Sequence, residues 1–373
     1  MYKYEIHVSD LITFKSCRRK WDWSSPLRRG LEPERTPIQF LVGRAVHWAL
    51  AQFYESGVKP SAAFNLFTER ALKTEGALWM SESDKLKENL VLGAAMCDNY
   101  VSWIKSIEDP DRDWDVVATE VKYETPLFNP LGKLSNRIFL AGRFDQVIRN
   151  KHTGSLWLRE FKTSKRSPDE EWLDFDDQCT SYAWAAGQIY GEPIRGVQYR
   201  FLMKRVPEEP NTLKNGGLSR AINSNLSTTY EVYLGALEKL AQRRAMQDTM
   251  KAIDDPSTMA AYADELAMLV ADYHDTLLEL KGRGWGEYFI ELHVNKTETE
   301  LANQAKELWS VGLEMVRKNI PIYAAPGWMK CAWCQFKTPC RLCNAGANWL
   351  QVLENTYRVR QPELEIEEEE VEQ

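Results

Sequence analysis

No stretch of the chain is long and apolar enough to span a bilayer, and the N-terminal MYKYEIHVSD has no hydrophobic signal-peptide core. A soluble, cytoplasmic protein with no membrane partner is therefore expected. No G-x4-G-K-[ST] loop occurs, which excludes nucleotide hydrolysis on a phosphate-cradling loop of that type. Basic charge is also lacking overall, with a net charge of −7. That deficit is local: seven glutamates follow Gln361 in PELEIEEEEVEQ, and residues 1–361 are formally neutral. Affinity for a polyanion would have to come from clusters such as Arg18-Arg19-Lys20, Arg28-Arg29, Lys162 with Lys165-Arg166, and Lys204-Arg205.

What is present is a strong hairpin signal. Residues 137–149 (RIFLAGRFDQVIR) and 155–163 (SLWLREFKT) are rich in β-branched, aromatic and aliphatic residues, with a polar Asn-Lys-His-Thr-Gly segment between them. A turn centred between His152 and Thr153 sets Asp145 opposite Glu160, and such pairs have Cβ atoms about 4.5–5.5 Å apart. Two carboxylates so placed repel unless a divalent cation joins them. Strand alternation puts Lys162 on the face of Glu160, beside that cation. The chemistry that needs this trio is metal-assisted hydrolysis. Carboxylates hold Mg²⁺ or Mn²⁺, the metal acidifies water and stabilises charge on a phosphate, and the ammonium orients the nucleophile.

The seven cysteines are unevenly spread. Cys331-x2-Cys334-x5-Cys340-x2-Cys343 is a metal-ligand spacing, and paired C-x2-C units taken alone read as a zinc knuckle. Cys17 lies alone in a helix expected to start at Ser9-Asp10 and run through LITFKSCRRKWDW. Cys97 and Cys179 read as packing residues.

These motifs, in this order, resemble the RecB-like branch of the PD-(D/E)XK nucleases, which includes iron-sulfur exonucleases associated with CRISPR systems and bacteriophages. The resemblance spans most of the chain. Phe144-Asp145 stands where the superfamily has Pro-Asp, Glu160-Phe161-Lys162 matches E-x-K, and Gln178-Cys-Thr-Ser-Tyr182 matches a helical Q-x3-Y. Gly43-Arg-Ala-Val-His47 resembles the upstream G-x3-H helix. The resemblance implies that His47, Asp145, Glu160 and the backbone carbonyl of Phe161 bind Mg²⁺ or Mn²⁺, that Lys162 helps activate water, and that Gln178 and Tyr182 position the strand. Glu120 matches a further acidic position. The resemblance also implies a [4Fe-4S] cluster on Cys17, Cys331, Cys334 and Cys340. Cys343 is then spare, and this extra cysteine keeps structural Zn²⁺ open as the alternative. Either group would fasten the first helix to the last segment. The implied function is a metal-dependent DNA exonuclease acting on ends or single strands in recombination, repair or end processing. Any unwinding would come from a helicase or recombination partner. The rival class is a catalytically silent DNA-binding or scaffold module.

The expected fold class is α/β: a restriction-endonuclease-like mixed sheet flanked by helices, in a single domain over residues 1–361. A helical layer (9–107) comprises helices at 37–56, 61–75 and 83–107. The catalytic core (114–206) opens on a strand at 114–125, with Val117, Val121 and Tyr123 on one side and Glu120 on the other. The hairpin, the Gln178 helix and a strand at 196–204 follow. Residues 207–283 form a loop and helical insertion: 207–229 is expected to be a mobile flap over the substrate channel or disordered, with helices at 229–253 and 257–281. A strand at 285–294, a helix at 297–319 and the cysteine cluster complete residues 284–355. Residues 362–373 have too few apolar side chains to offset their ordering entropy. They are expected to be a disordered acidic tail that is inert and solubilising, or that screens the DNA channel or docks a basic partner.

Overall fold

Apolar alternation along residues 134–164 makes the hairpin the spine of the molecule. The computed structural model describes residues 3–34, 38–75, 83–221 and 227–360. The chain begins β1 (Tyr4–His7), α1 (Val8–Ser16), α2 (Arg18–Ser24), β2 (Leu31–Pro33). Three long helices follow, α3 (Ile38–Ser56), α4 (Pro60–Glu75) and α5 (Ser83–Ile104). Then come β3 (Trp114–Phe128), β4 (Leu134–Asn150), β5 (Leu156–Ser164), α6 (Glu170–Leu173), α7 (Asp177–Tyr190) and β6 (Ile194–Met203). The insertion supplies α8 (Tyr230–Thr249), α9 (Pro256–Asp272) and α10 (His274–Arg283). The chain closes with β7 (Phe289–Asn295), α11 (Glu298–Met315), α12 (Trp328–Ala332), α13 (Lys337–Asn344), α14 (Trp349–Thr356) and β8 (Tyr357–Val359). No helix among the described residues is long and apolar enough to cross a membrane. The tail at 362–373 lies outside the described residues.

The sheet is mixed. β4 pairs antiparallel with β3 along nearly its whole length, from Trp114 opposite Asn150 to Phe128 opposite Leu134. On its other edge β4 has two shorter neighbours: β1, parallel, at Ile138–Ala141, and β5, antiparallel, at Gln146–Arg149. The β4–β5 register is the expected one, with Gln146 opposite Arg159 and Arg149 opposite Leu156. Beyond Arg159, β5 leaves β4 and stays with β6, parallel to it, and β7 closes that side antiparallel to β6. Gly142–Asp145 therefore has no partner on the edge shared by β1 and β5. The sheet is split there, and the cleft described below opens through the split.

Two apolar layers cover the sheet. On one side Phe144, Leu156 and Leu158 pack with α1, α7 and α11 through Phe14, Ala183 and Leu308. On the other, Phe161 and Leu202 pack under α3, α4 and α5 through Val46, Phe64 and Tyr100. A third cluster belongs to the insertion, around Leu237, Leu269 and Leu280.

Several expectations need correction. The first helix does not run through Cys17. Cys17 is extended (φ −162°, ψ 108°), its N–H closes α1 on the Thr13 carbonyl, and its own carbonyl accepts the Trp21 N–H of α2. The helix also starts at Val8, so Ser9-Asp10 lies in its first turn instead of capping it. A bulge between Val116 and Ala118 turns Val117 out to solvent, away from the buried Tyr123. The described part of 207–229 is neither disordered nor a flap over the cleft. Thr212 bridges Leu218, and buried Leu218 exchanges two hydrogen bonds with the Tyr273 hydroxyl, at 2.8 Å from its N–H and 3.1 Å to its carbonyl. Residues 222–226 lie outside the described residues. The second inserted helix is two, since Tyr273 separates α9 from α10.

Candidate active site

Each residue of the hairpin motif occupies the split. Gln146 reaches the α3 side, where its amide oxygen accepts from Arg159 at 3.1 Å, and Arg159 reaches Tyr54 of α3. Phe144, two residues earlier, packs instead on Tyr182 of α7, with ring centroids 5.6 Å apart. Strand alternation would give both the same face, so β4 changes face at Asp145. Opposite it on β3, Glu120 adopts a left-handed φ of 44°, which costs a non-glycine residue about 1–2 kcal/mol. The β3–β4 pairing skips this position, running from Thr119–Gln146 to Val121–Phe144.

The consequence is a division of the two carboxylates that the hairpin register alone would have set face to face. Asp145 turns to α3: Oδ1 lies 3.1 Å from His47 Nδ1, and Oδ2 accepts the Phe161 N–H at 2.8 Å. Glu160 turns to α7: Oε1 accepts Lys162 Nζ at 2.7 Å and lies 3.4 Å from Gln178 Nε2. Lys162 also donates to Gln178 Oε1 at 3.2 Å, and Gln178 Nε2 donates to the Tyr182 hydroxyl at 3.1 Å. Gln178 and Tyr182 are four apart on α7, so they share a face; the Asp176 side chain caps that helix on the Gln178 N–H.

Among the described residues, His47, Glu120 and Asp145 form a group of potential metal ligands whose donor atoms all lie within 4.8 Å of one another. One imidazole nitrogen and two carboxylates make an oxygen-rich donor set that suits Mg²⁺ or Mn²⁺. Glu120, secondary in the sequence pattern, thus belongs to this group, of which Glu160 is not a member. Arg143 pairs with Glu120 at 2.8 Å, on the opposite side of the split from Lys162.

The charges are strongly perturbed. Burial disfavours the His47 imidazolium, but Asp145, then Glu160 and Glu120, outweigh it and raise the His47 pKa to about 9. Burial and the charge of Asp145 push the Glu160 carboxyl up. Asp145, despite its burial, is held below the usual carboxylate range by His47 and by Lys162. Lys162 loses hydration, yet Glu160 keeps it charged well beyond the ordinary lysine range. This accumulation of opposed charges in one cleft is a functional-site signature.

The cleft has a volume of about 820 Å³ and is lined by Lys162, Lys204, Lys122, Arg143 and Arg44 besides the acidic residues. Of the expected basic clusters, only Lys162 and Lys204 reach it. Arg19 donates to Cys340 Sγ at 3.5 Å and to Asn344, and Arg28 and Arg29 pair with Asp22. Lys122 and Arg143 were not singled out by the sequence. Their signal is positional, since each lies two residues from Glu120 or Asp145.

The cysteine segment packs against the N-terminal region. Trp23 of α2 stacks on Trp349 (5.4 Å) and meets Phe336 edge-on (5.6 Å). Cys334, Cys340 and Cys343 border this cluster, and β2 pairs antiparallel with β8 beside it. Burial raises the Cys334 thiol, Lys20 opposes this, and Cys17 and Cys331 are close enough to raise it further. Remote Cys17 is thus near enough to Cys334 to act on its charge, but among the described residues no three cysteines have sulfur atoms that all lie within 4.8 Å of one another.

A model of the PD-(D/E)XK nuclease superfamily matches residues 5–341. No curated protein matches the chain. Among solved structures, one described as the crystal structure of SSO0001 is similar at 13% identity, with 91% of this chain and 86% of that chain covered and a TM-score of 0.32. With the family match running from β1 into α13, the chain belongs to the PD-(D/E)XK nuclease superfamily, phosphodiester hydrolases that use divalent metal ions.

Proposed function

We propose that this protein is a Mg²⁺- or Mn²⁺-dependent deoxyribonuclease, an exonuclease acting on DNA ends or single strands in recombination, repair or end processing, built as one domain over residues 1–361. The observation that carries this reading is the placing of the His47-Glu120-Asp145 group beside the Glu160-Lys162-Gln178 chain in one cation-lined cleft. His47, Asp145 and Glu120 would hold the cation, with Glu160 and the Phe161 carbonyl beside them. When bound, the cation supplies Lewis acidity to water and to the phosphate.

The remaining work falls to the chain. The Phe161 N–H fixes Asp145, which in turn orients the His47 ring. Lys162 stays charged and is held from two sides, so its ammonium can direct a water and balance charge developing on the phosphate. Glu160, with its carboxyl pushed up, can accept the proton that the attacking water loses. Gln178, braced by Tyr182, holds Lys162 in line. At the far end of the chain, Cys17, Cys331, Cys334 and Cys340 hold a structural [4Fe-4S] cluster in this reading, with Zn²⁺ as the alternative occupant.

End-labelled single- and double-stranded DNA, incubated with and without Mn²⁺, tests the proposal. Shortening from an end that needs the metal is expected. Intact DNA of every end type with either metal would shift the reading to a silent DNA-binding module.

A further inference from the structure

The α3 face of the cleft carries a feature that the metal group and the Lys162 chain do not use. Phe40, Arg44 and His47 are spaced four and three apart, so they form one stripe along the helix. All three line the cleft together with Gly43. Phe40 is 61% exposed, although an aromatic side chain buried here could have joined the adjacent apolar layer. Gly43 lies between Phe40 and His47, and a Cβ built on it would meet nothing within 4 Å. The helix surface is therefore bare for about one turn: a notch with a glycine floor, an exposed ring at one end and His47 at the other. Arg44 flanks the notch with its guanidinium over the Phe67 ring, 5.6 Å from the centroid.

We propose that this notch is the subsite for the nucleotide next to the scissile phosphate, and that it takes an unpaired base stacked on Phe40, so that the substrate is a single-stranded DNA end. This rests on the reading of the cleft as a nuclease site. Three observations select this occupant. An exposed aromatic ring in a positively lined groove is the combination that holds single-stranded nucleic acid, because every base has a face to stack and every nucleotide a charge to neutralise. The five cations that line the cleft outnumber its three carboxylates before any metal binds. The cleft, at about 820 Å³, is within the size range of pockets for single small molecules, so it suits one strand and not a stacked duplex. The three residues from the glycine floor back to Phe40 and the four on to His47 set the base about two helical turns, roughly 10 Å along the axis, from the metal group.

The test reads binding with metal withheld, so it does not depend on cleavage. A single-stranded oligonucleotide with 2-aminopurine at its terminal positions is titrated against the full-length protein in EDTA, and a blunt duplex of the same sequence is compared. The expected result is tighter binding of the single strand with a change in 2-aminopurine fluorescence on stacking. Phe40→Ala should weaken that binding by about fivefold to a hundredfold and abolish the fluorescence change, and Phe40→Trp should restore both. Gly43→Leu provides a variant whose loss cannot be put down to misfolding. Leucine is a better helix former than glycine and here enters open space, so the melting temperature should hold or rise while the oligonucleotide is excluded. Unchanged binding and fluorescence in both Phe40→Ala and Gly43→Leu would overturn the proposal, as would equal or tighter binding of the blunt duplex by the wild type. Failure of the nuclease reading shows separately, as absence of Mn²⁺-dependent cleavage in a protein that still binds and stacks the single strand.

Discussion

Asp111, in the turn before β3, should be among the most costly single positions in the protein although it touches no catalytic group. Its Oδ1 accepts from Arg159 and from Arg200, each at 2.8 Å, and its Oδ2 accepts the Tyr54 hydroxyl at 2.6 Å. The two guanidiniums are 0% and 1% exposed. Arg200 keeps a second anion, Glu291, at 2.6 Å, but the other partners of Arg159 are neutral: Gln198, Gln146 and Tyr54. Removing Asp111 leaves a buried guanidinium with no counter-charge, a change that costs about 3–5 kcal/mol. Against a total stability of about 5–15 kcal/mol this is a fifth or more. Asp111→Asn keeps an acceptor and should cost about 1.5–3 kcal/mol, the range of a hydrogen bond to a charged group. The sign with pH follows from the carboxyl itself. Burial would raise its pKa, but Arg159 and Arg200 outweigh burial and hold it below 3.8. The advantage of Asp over Asn is therefore fully present above that value and is lost as pH falls through the lower folded value. Urea unfolding of wild type, Asp111→Ala and Asp111→Asn at neutral and acidic pH measures all of this. A loss below about 1 kcal/mol in Asp111→Ala would refute the reasoning, since that is the range of a surface pair.

Other outcomes follow from the site. Asp145→Ala and Glu160→Ala should remove metal-dependent cleavage while circular dichroism shows an intact fold, because each deletes one of two mutually repelling buried carboxylates; full activity in Glu160→Ala would refute its role. Lys162→Ala should slow turnover by about a hundredfold or more with Mn²⁺ affinity largely kept, as expected of an electrostatic donor that is not a ligand. Because His47 stays protonated up to about 9, a cation must displace that proton, so Mn²⁺ affinity should rise about tenfold per pH unit below 9 and then level off. A calorimetric titration that is flat with pH would remove His47 from the ligand set. Cys17→Ala should bleach brown, anaerobically purified protein and destabilise it, whereas Cys343→Ala should do neither; colourless protein with stoichiometric zinc would replace the iron-sulfur reading.

Much of the core was legible in the sequence. The hairpin register and the helix carrying His47 lie where spacing and periodicity put them, and Gln178 and Tyr182 share a helix as the family resemblance implied. Short elements were not legible. β1, with four residues, and β2 and β8, with three each, are too brief to show a period, and they exist because a distant strand offers them an edge. The break at Cys17 was hidden for a related reason. LITFKSCRRKWDW is apolar at helical spacing on both sides, and the cysteine's backbone satisfies both helix ends, so no glycine or proline marks the join.

The buried arginines show why site geometry is harder to read than site membership. In LREFK, Arg159 stands between Leu158 and Glu160, and the run of charges looks like a solvated strand. Yet β5 is covered on both faces, and each face brings its own polar partners. Glu160 and Lys162 meet Gln178 of α7, while Arg159 meets Tyr54 of α3 and Asp111, which lies 48 residues back. The same guanidinium network ties α3, which carries His47, to β5, which carries Glu160. A spacing pattern can identify the two motif residues, but the elements that carry them are also joined through Asp111, whose carboxylate attracts both Arg159 and Arg200 across segments that no local pattern connects. On this argument Asp111→Asn, if it stays folded, should alter Mn²⁺ affinity through the position of His47 even though Asp111 is not a ligand, and Asp111→Glu, which restores the charge, should recover it in part.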